Sequence, residues 1–479
     1  MEYKADAFLR TSGYIPPREQ WAPADEALYS HDLILNVEPK RAEELRLQAI
    51  RHSVAKWYSG CSWYRRYCRE FDFDPAVLKT GEDIARVPLV SHRFFKTYPE
   101  GPEFAGWLSQ LALDGVPTPA IGKKNPSIDD VIEAYASAGL QAVYSSGTSG
   151  RFSFLPKDQT TLNRSQYLIV KLTVGEFWRE WYDPEGYTYL LGPNPAKTNL
   201  WVGKVVYPLP RVFRDTRYAI DSEITTQMVR LSQGDAHGVG EKAMMAVMPI
   251  ISASRRIVPN IINWLAEREK KKDKIFLCEA PFILQRVITE LKEQGGSFDF
   301  GESGAIVTGG GWKNNEAEKL PHDEFRKNVE ETLGIPGHMC VDLYTMCESN
   351  WHAIQCPEGH YFHLPQSVVY PMVLDENLKP LPYGEAGRFA FVDPLANSYP
   401  GAIITGDIVK LHDHCPVCGR PGPVLEPDVH RATGEEMRGC AEEVRQLMDS
   451  DGSEMIHDMV CAPDRSRMPL MLMKKKAEG

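Results

Sequence analysis

The chain has 479 residues, of which 43% are hydrophobic and 25% charged, and its formal net charge is −11. This length and balance are typical of a folded protein with more than one domain or subdomain, and the acidic excess argues against a nucleic-acid partner, which needs a basic surface. The N-terminus has no apolar leader, and no run of about 18 apolar residues occurs, so we expect a cytoplasmic protein without a membrane span. Its ten cysteines should be mostly reduced.

The N-terminal part of the chain is predicted to be helical. Residues 41–70 carry apolar and aromatic positions at helical spacing, and the Pro- and Gly-bearing segment 113–127 is typical of a connector. Residues 1–125 are therefore predicted to form the helical N-terminal part of a large domain.

The segment YSSGTSGRFSF, residues 144–154, is dense in glycines and small hydroxyl residues. Glycine lets successive backbone N–H groups point into one concavity, and Ser and Thr hydroxyls add donors, so such a loop can bind phosphate oxygens. An ordinary surface turn is the alternative. The segment lacks the GxxxxGK[ST] spacing, which disfavours a P-loop nucleotide hydrolase. Lys157 lies further past the glycines than the usual lysine of a phosphate-binding loop, so we regard it as a weak candidate for a contact with pyrophosphate.

The middle of the chain has an α/β pattern. Residues 274–296 read as a strand, a helix and a Gly stop, residues 304–313 as a buried strand that opens into a second glycine loop, and residues 339–350 as a third strand with polar residues at its carboxyl end. In open α/β sheets, ligands bind beyond the carboxyl ends of the strands. These segments therefore predict one shared site.

From Gln366 to His412 the pattern changes to β-strands. The last of them contains Thr405-Gly406-Asp407 within an otherwise apolar run. A buried carboxylate needs a partner, so Asp407 either caps a turn or accepts hydrogen bonds from ribose hydroxyls.

Four motifs in order, YSSGTSG, VTGGGWK, YTMCES and TGD, resemble the core motifs of the adenylate-forming superfamily. Residues 87–96, TGGGWK and residues 431–442 resemble the acyl-protein synthetases of bacterial fatty-acid reductase systems, and CPVCGRPGP is similar to phenylacetate-CoA ligases. The resemblance implies an α/β fold: a large adenylate-forming N-terminal domain of mixed sheets packed with helices plus a β subdomain, then a short, truncated C-terminal cap. The implied boundaries are 126–430 for the core and 431–479 for the cap.

The resemblance also implies the chemistry. A carboxylate attacks the α-phosphate of ATP, pyrophosphate leaves, and the acyl-adenylate reacts with a thiol, with Mg²⁺ and positioned donors stabilising the phosphate charge. Implied contacts of the β- and γ-phosphates are Ser145, Ser146, Gly147, Thr148, Ser149 and Gly150. Implied contacts elsewhere are Gly309, Gly310, Gly311 and Tyr344 for adenine, Thr345 for the α-phosphate and the carboxylate, Glu348 for Mg²⁺, and Asp407 for ribose. Arg431 is either a ribose or hinge contact or a surface residue. Cys347 departs from the family pattern, in which Thr usually precedes the Glu.

A second group of residues is typical of a metal site. Cys415 and Cys418 form a CxxC pair, and Cys356 precedes His360 and His363, so one Cys₃His zinc site can be built, with His412 or His414 as substitute ligands. Because such a site has no open position, the zinc would be structural. The alternative is unligated thiols and imidazoles in loops.

The C-terminal segment bears on the second half-reaction. Only residues 432–479 follow Arg431, too few for the usual C-terminal domain with its catalytic Lys. The resemblance implies a cysteine that accepts the acyl group, for which Cys440 and Cys461 are candidates, although Cys440 also suits the buried face of a helix.

Three functions stay open. The first is an acyl-protein synthetase that activates a carboxylic acid of the fatty-acid class and serves an acyl reductase or carrier protein. The second is an acyl- or aryl-CoA ligase. The third is a non-catalytic nucleotide-binding scaffold.

Overall fold

The computed structural model describes residues 4–114, 116, 118–145, 151–232, 236, 240–242, 250–312 and 319–432. Its helices, in chain order, are α1 Lys4–Thr11, α2 Pro23–Tyr29, α3 Pro39–Gly60, α4 Ser62–Glu70, α5 Glu103–Leu111, α6 Ile128–Ser137, α7 Gln159–Val170, α8 Trp201–Val205, α9 Leu209–Val212, α10 Thr226–Ser232, α11 Ile250–Lys271, α12 Pro281–Glu293 and α13 His322–Leu333. A π-helical segment, Lys171–Glu176, continues α7.

The strands, in chain order, are β1 Val90–Ser91, β2 Leu140–Tyr144, β3 Phe154–Asp158, β4 Tyr187–Pro193, β5 Asp215–Ile220, β6 Ile275–Glu279, β7 Gly304–Gly309, β8 Cys340–Tyr344, β9 Ala353–Gln355, β10 Phe362–His363, β11 Tyr370–Leu374, β12 Ala386–Val392, β13 Ala402–His414, β14 Pro421–Leu425 and β15 His430–Arg431. All but two join one sheet in the order β11-β12-β13-β14-β10-β9-β8-β7-β6-β4-β5, with β1 and β15 paired to β13. β2 and β3 form a separate antiparallel hairpin.

The large sheet has a parallel half and an antiparallel half. Strands β5, β4, β6, β7 and β8 run parallel, whereas the pairs from β8 through β9, β10, β14, β13 and β12 to β11 are antiparallel. Every residue of β6 and β7 is buried, as expected for parallel strands covered on both faces. The parallel strands end at one edge of the sheet, and this edge becomes one wall of the site.

The hairpin is tied to α7 by a helix cap. The carboxylate of Asp158, the last residue of β3, accepts a hydrogen bond from the Thr161 backbone N–H at 2.9 Å. Such an N-cap satisfies a donor that the first helical turn leaves open. It ends the strand and starts the helix with no intervening loop, so α7 is fixed relative to the hairpin.

Two ion pairs fasten the N-terminal helices to α7 and its π-helical extension. Arg164 contacts Asp25 with both sides almost fully buried, Nε to Oδ1 at 2.7 Å, and Lys171 Nζ lies 2.7 Å from Asp6 Oδ2. Helices α1 and α2 therefore pack directly against the core. The boundary at residue 125 stays a prediction.

The α/β architecture agrees with the sequence prediction: a large mixed sheet packed with helices, and a β-rich part beyond residue 366. Among the described helices, none combines the length and the apolar character needed to cross a bilayer. Residues 433–479, which include the predicted C-terminal cap, lie outside the described residues.

Candidate active site

The second glycine loop begins where β7 ends, beside the end of β8. Gly309 pairs with Leu343, so the loop and Tyr344 lie at the same edge of the sheet. Gly310 and Gly311 have φ values of 76° and 66°. Residues with a Cβ rarely adopt this left-handed conformation, which explains why glycines occupy both positions. Gly310 and Gly311 are exposed and leave backbone without side chains near the end of β8, a surface suited to a flat base.

Asp407 lies within β13 and has two partners. The Tyr344 hydroxyl donates to Oδ2 at 2.7 Å, and Arg431 Nε lies 3.0 Å from Oδ1. Arg431 is brought there by the antiparallel pairing of β15 with β13, in which Asp407 faces Arg431. The Arg431 side chain is 67% exposed, so water screens this ion pair. Because Asp407 is inside a strand, the turn-cap alternative is wrong.

Gly406 is a place of close approach. A Cβ at this position would lie 3.0 Å from His92 Cε1 and 3.1 Å from Arg431. Burial, together with the charges of Lys96 and Arg431, lowers the pKa of His92 to about 3, so its ring is neutral near pH 7. Glycine before Asp407 therefore lets the segment around His92 pack against the strand that carries the carboxylate.

Glu348 lies in the turn that follows β8 and is buried. Its Oε1 accepts a hydrogen bond from the Ser153 hydroxyl at 2.6 Å. Ser153 also closes the neck of the first glycine loop: its N–H donates to Ser145 Oγ at 2.8 Å, and its carbonyl accepts from Ser145 N–H at 3.0 Å. The neck of this loop is thus joined to the acidic turn. Ser146, Gly147, Thr148, Ser149 and Gly150 lie outside the described residues.

A lysine that the sequence reasoning did not single out faces the same site. Burial lowers the pKa of Lys96, and the carboxylates of Glu348 and Asp407 oppose that shift while Arg431 adds to it. A cation near two acidic groups can stabilise negative charge on a phosphate. The one signal in the sequence was that Lys96 is the last residue of segment 87–96, which resembles the acyl-protein synthetases.

Thr345 is held by a histidine that the sequence reasoning also missed. Thr345 Oγ1 lies 2.9 Å from Nδ1 of the fully buried His352, whose Nε2 lies 3.1 Å from the Ser165 carbonyl oxygen. The Ser165 hydroxyl also lies 3.0 Å from Nε2. Because the carbonyl can only accept, a ring proton on Nε2 satisfies that contact, and Nδ1 then accepts from Thr345. Burial lowers the pKa of His352 to about 3, so the ring stays neutral. No local pattern marks a histidine that connects the segment after β8 to Ser165 on α7.

Cys347 has no place as a reactive thiol in this geometry. It is buried, with Sγ 4.0 Å from the Ser153 carbonyl oxygen, and burial together with Glu348 raises its pKa well above the usual range. A thiol is a weaker hydrogen-bond donor than the hydroxyl of a threonine would be at this position. The two cysteines predicted as acyl acceptors, Cys440 and Cys461, lie outside the described residues.

Four of the predicted metal ligands lie close together, near strands β9, β10 and β13. One ligand atom from each of Cys356, His363, Cys415 and Cys418 lies within 4.8 Å of all the others. Two contacts within the group are 3.9 Å between the sulfurs of Cys356 and Cys415, and 3.5 Å between Cys418 Sγ and His363 Nε2. Burial and the neighbouring Cys415 raise the pKa of the Cys356 thiol to about 12. A bound cation would lower this pKa, because it stabilises the thiolate.

The other candidate histidines are not in this cluster. His360 turns away: its Nε2 lies 3.1 Å from Asp323 Oδ1, and its backbone is left-handed with φ 64°. His412 pairs with Glu426 at 2.8 Å, and His414 pairs with Asp413 at 2.8 Å. The prediction of His360 as a ligand is therefore wrong, because its side chain pairs with Asp323 and lies outside the group of four.

Known proteins match this chain in sequence. A family model described as acyl-protein synthetase, LuxE, matches residues 251–449. Two curated relatives are both described as long-chain-fatty-acid–luciferin-component ligase. The relative from Vibrio harveyi is 27% identical over 83% of this chain and 87% of its own length. The relative from Aliivibrio fischeri is 26% identical over 62% of this chain and 70% of its own length.

Solved structures match in fold. An open conformation of 2-hydroxyisobutyryl-CoA ligase with its acyl-AMP and CoA superposes with a TM-score of 0.54 at 14% identity, covering 92% of this chain and 81% of that one. The same ligase in its postadenylation state gives a TM-score of 0.55 at 14% identity, covering 92% and 79%. The predicted fold class is thereby confirmed. Together, these matches show that the chain has the fold of 2-hydroxyisobutyryl-CoA ligase and is similar in sequence to proteins described as acyl-protein synthetase and as long-chain-fatty-acid–luciferin-component ligase.

Proposed function

We propose that this chain converts ATP and a carboxylic acid of the fatty-acid class into an acyl-adenylate, with release of pyrophosphate, and then passes the acyl group to a thiol. The observation that carries the proposal is the convergence of the loop neck at Ser145 and Ser153, the carboxylate of Glu348, and the Asp407–Tyr344 pair. The relatives' description as fatty-acid ligases supports the substrate class.

The described residues have distinct roles in the first half-reaction. Asp407 accepts from the ribose hydroxyls while Tyr344 holds its carboxylate in place, and the glycines at 309–311 border the adenine. Lys96 offers positive charge to the phosphates, and Thr345, fixed by His352, faces the reacting carboxylate and the α-phosphate. Glu348 is the residue that would hold Mg²⁺, which neutralises phosphate charge when bound. A carboxylate with one oxygen already fixed by Ser153 suits that ion, since Mg²⁺ prefers oxygen ligands.

The second half-reaction forms a thioester. The thiol sulfur attacks the acyl carbonyl carbon, the bond from that carbon to the AMP oxygen breaks, and the thiol proton passes to solvent. Cys440 and Cys461 are our candidates for this thiol. A cytoplasmic site, where such thiols stay reduced, and a reductase or carrier protein as the next acceptor remain predictions.

We further propose that Cys356, His363, Cys415 and Cys418 hold a structural zinc ion. Three thiols and one imidazole are a donor set that zinc prefers, and four protein ligands leave no position for a substrate. Backbone N–H groups of Gly359 and Cys418 already point at sulfur, at 3.3 Å and 3.5 Å. The cluster joins residues beside β9, β10 and β13, and β13 carries Asp407, so the ion would brace one wall of the site.

The intact mass of the protein after incubation with ATP, Mg²⁺ and fatty acids of graded chain length tests the function. We expect a mass gain of one acyl group that hydroxylamine removes and that either Cys440→Ala or Cys461→Ala abolishes. Cys68→Ala, which alters a buried thiol of α4, is the matched control and should leave the gain intact. Thioester formation on added CoA without a protein adduct would instead favour an acyl-CoA ligase. Pyrophosphate release that does not depend on added acid would contradict the proposal.

A further inference from the structure

Lys157 is a buried cation on β3 that the proposed mechanism does not use. Its side chain is fully buried. The ammonium donates to the Ser349 carbonyl oxygen at 2.9 Å and to Asn350 Oδ1 at 2.7 Å, and it lies 3.8 Å from the centre of the Trp201 ring. Removing an ammonium from water is costly, and neutral oxygens and a ring face offset only part of that cost. A lysine kept in such a place calls for a role beyond packing.

Both hydrogen bonds of Lys157 go to the turn that follows Glu348. Asn350, which accepts from Lys157, in turn donates to Asp393 Oδ2 from its backbone N at 2.7 Å and from Nδ2 at 2.9 Å. Tyr399, which accepts from Asn350 Nδ2 at 2.9 Å, donates to the Glu348 carbonyl oxygen at 3.2 Å. Lys157 and Asp393 therefore flank the turn as opposite charges linked through one amide. Buried networks of this kind are rigid when every member is satisfied.

Glu348 is consequently held from two directions by the same short stretch of chain. Ser153, just before β3, donates to its carboxylate, and Lys157, within β3, fixes the peptide after it. Both holding residues follow the first glycine loop directly. Any shift of β3 relative to the turn would move the carboxylate with respect to the loop.

We propose that Lys157 is a positioning residue that sets the place of the Glu348 carboxylate by anchoring the turn 348–350 to the hairpin of the phosphate loop. This inference rests on the proposed function, in which Glu348 binds the divalent ion. Lys157 itself touches neither nucleotide nor metal. Its loss should therefore weaken divalent-ion binding at the site more than it alters general stability.

The test compares Lys157→Met with Lys171→Met. Both lysines are buried, but Lys171 pairs with Asp6 of α1 rather than with the turn, so it is a matched control for the cost of removing a buried ammonium. Acid-dependent exchange of pyrophosphate into ATP is measured against Mg²⁺ concentration. Losing a hydrogen bond to a charged group costs roughly 10- to 150-fold in an equilibrium constant. Because the lost bond goes to the turn and not to the ion, we expect the half-saturating Mg²⁺ concentration to rise by about the lower figure, tenfold, for Lys157→Met, and the control to match the wild type.

A second readout does not depend on turnover. Free Mn²⁺ is followed by electron paramagnetic resonance in the presence of ATP, and Lys157→Met should bind Mn²⁺ more weakly than Lys171→Met. If Lys157→Met does not fold, Lys157→Gln, which keeps an N–H donor but no charge, should show the same direction of change. Absence of exchange by the wild type would refute the proposed function, and the Mn²⁺ comparison would still decide the role of Lys157. Equal Mg²⁺ and Mn²⁺ responses of the two lysine variants, or a wild type that binds no Mn²⁺, would overturn the inference.

Discussion

Replacing Asp407 by Asn should weaken ATP binding far more than it weakens the fold. Asn keeps an oxygen that can accept from the Tyr344 hydroxyl, which donates to Oδ2 at 2.7 Å in the wild type. What disappears is the negative charge. That charge serves two partners: the guanidinium of Arg431, and the ribose in the proposed complex.

The structure sets the size of each loss. Because Arg431 is 67% exposed, its ion pair contributes about 1 kcal/mol or less to the free energy of unfolding. Hydrogen bonds to a charged acceptor contribute about 1.5–3 kcal/mol, against roughly 0.5–1.5 kcal/mol for neutral ones. The difference is about 1–1.5 kcal/mol per hydrogen bond. One or two bonds to the ribose hydroxyls therefore account for about 1–3 kcal/mol, which corresponds to a rise of roughly 5- to 150-fold in the KM for ATP.

Pyrophosphate exchange at varied ATP and fixed acid measures the KM, and urea unfolding measures stability. Asp413→Asn is the matched control, because Asp413 is on the same strand but its side chain is 64% exposed and pairs with His414. The control should change neither quantity. The reasoning would be refuted by a KM for ATP within twofold of the wild type in Asp407→Asn, or by an equal rise in the KM for the acid.

Three further predictions concern the rest of the fold. The purified protein should contain zinc by native mass spectrometry, and Cys415→Ser should lose the ion and melt at a lower temperature in calorimetry; full zinc retention would contradict the site. Burial raises the pKa of Glu176 from 4.5 to about 7, so the protonated form is favoured in the folded state and stability is lost as pH rises through that range. Relative to Glu176→Gln, urea unfolding of the wild type should therefore lose about 3 kcal/mol between pH 4 and pH 8, and parallel profiles would count against this. Asp25→Asn should cost about 3–5 kcal/mol because it leaves buried Arg164 without its counter-charge, whereas Asp32→Asn at an 87% exposed carboxylate should cost almost nothing; similar losses would argue against a buried pair.

Local pattern in the sequence was sufficient to predict the sheet edge at which the candidate site lies. Segments 304–313 and 339–350 were predicted as strands that end in glycine or polar residues, and β7 and β8 are indeed adjacent and parallel. Burial on both faces forces an apolar run, and ligand-binding loops force polar and glycine residues at its end. Such constraints act over a few neighbouring residues and are therefore visible in one sequence.

Local pattern in the sequence did not decide the role of Asp407, nor which histidine lies with the cysteines. Whether Asp407 caps a turn or faces a ligand depends on the pairing of β13 with β15, which brings Arg431 beside it. His360 and His363 are three residues apart and chemically identical. His363 lies in the cysteine cluster because β10 pairs with β14, next to the CxxC segment, while His360 turns toward Asp323 on α13.

The sequence by itself predicted the members of the candidate site: two glycine loops, one carboxylate after a strand and one within a strand, and a thiol-rich group suited to a metal. Only the tertiary structure decided which of these residues meet, and it alone revealed the supporting contacts of Lys157 and His352. Their partners are far away along the chain, with Asn350 lying 193 residues from Lys157 and Ser165 187 residues from His352. A contact between distant residues leaves no periodic trace in either segment, because it is set by how sheet and helices pack rather than by the spacing of neighbours.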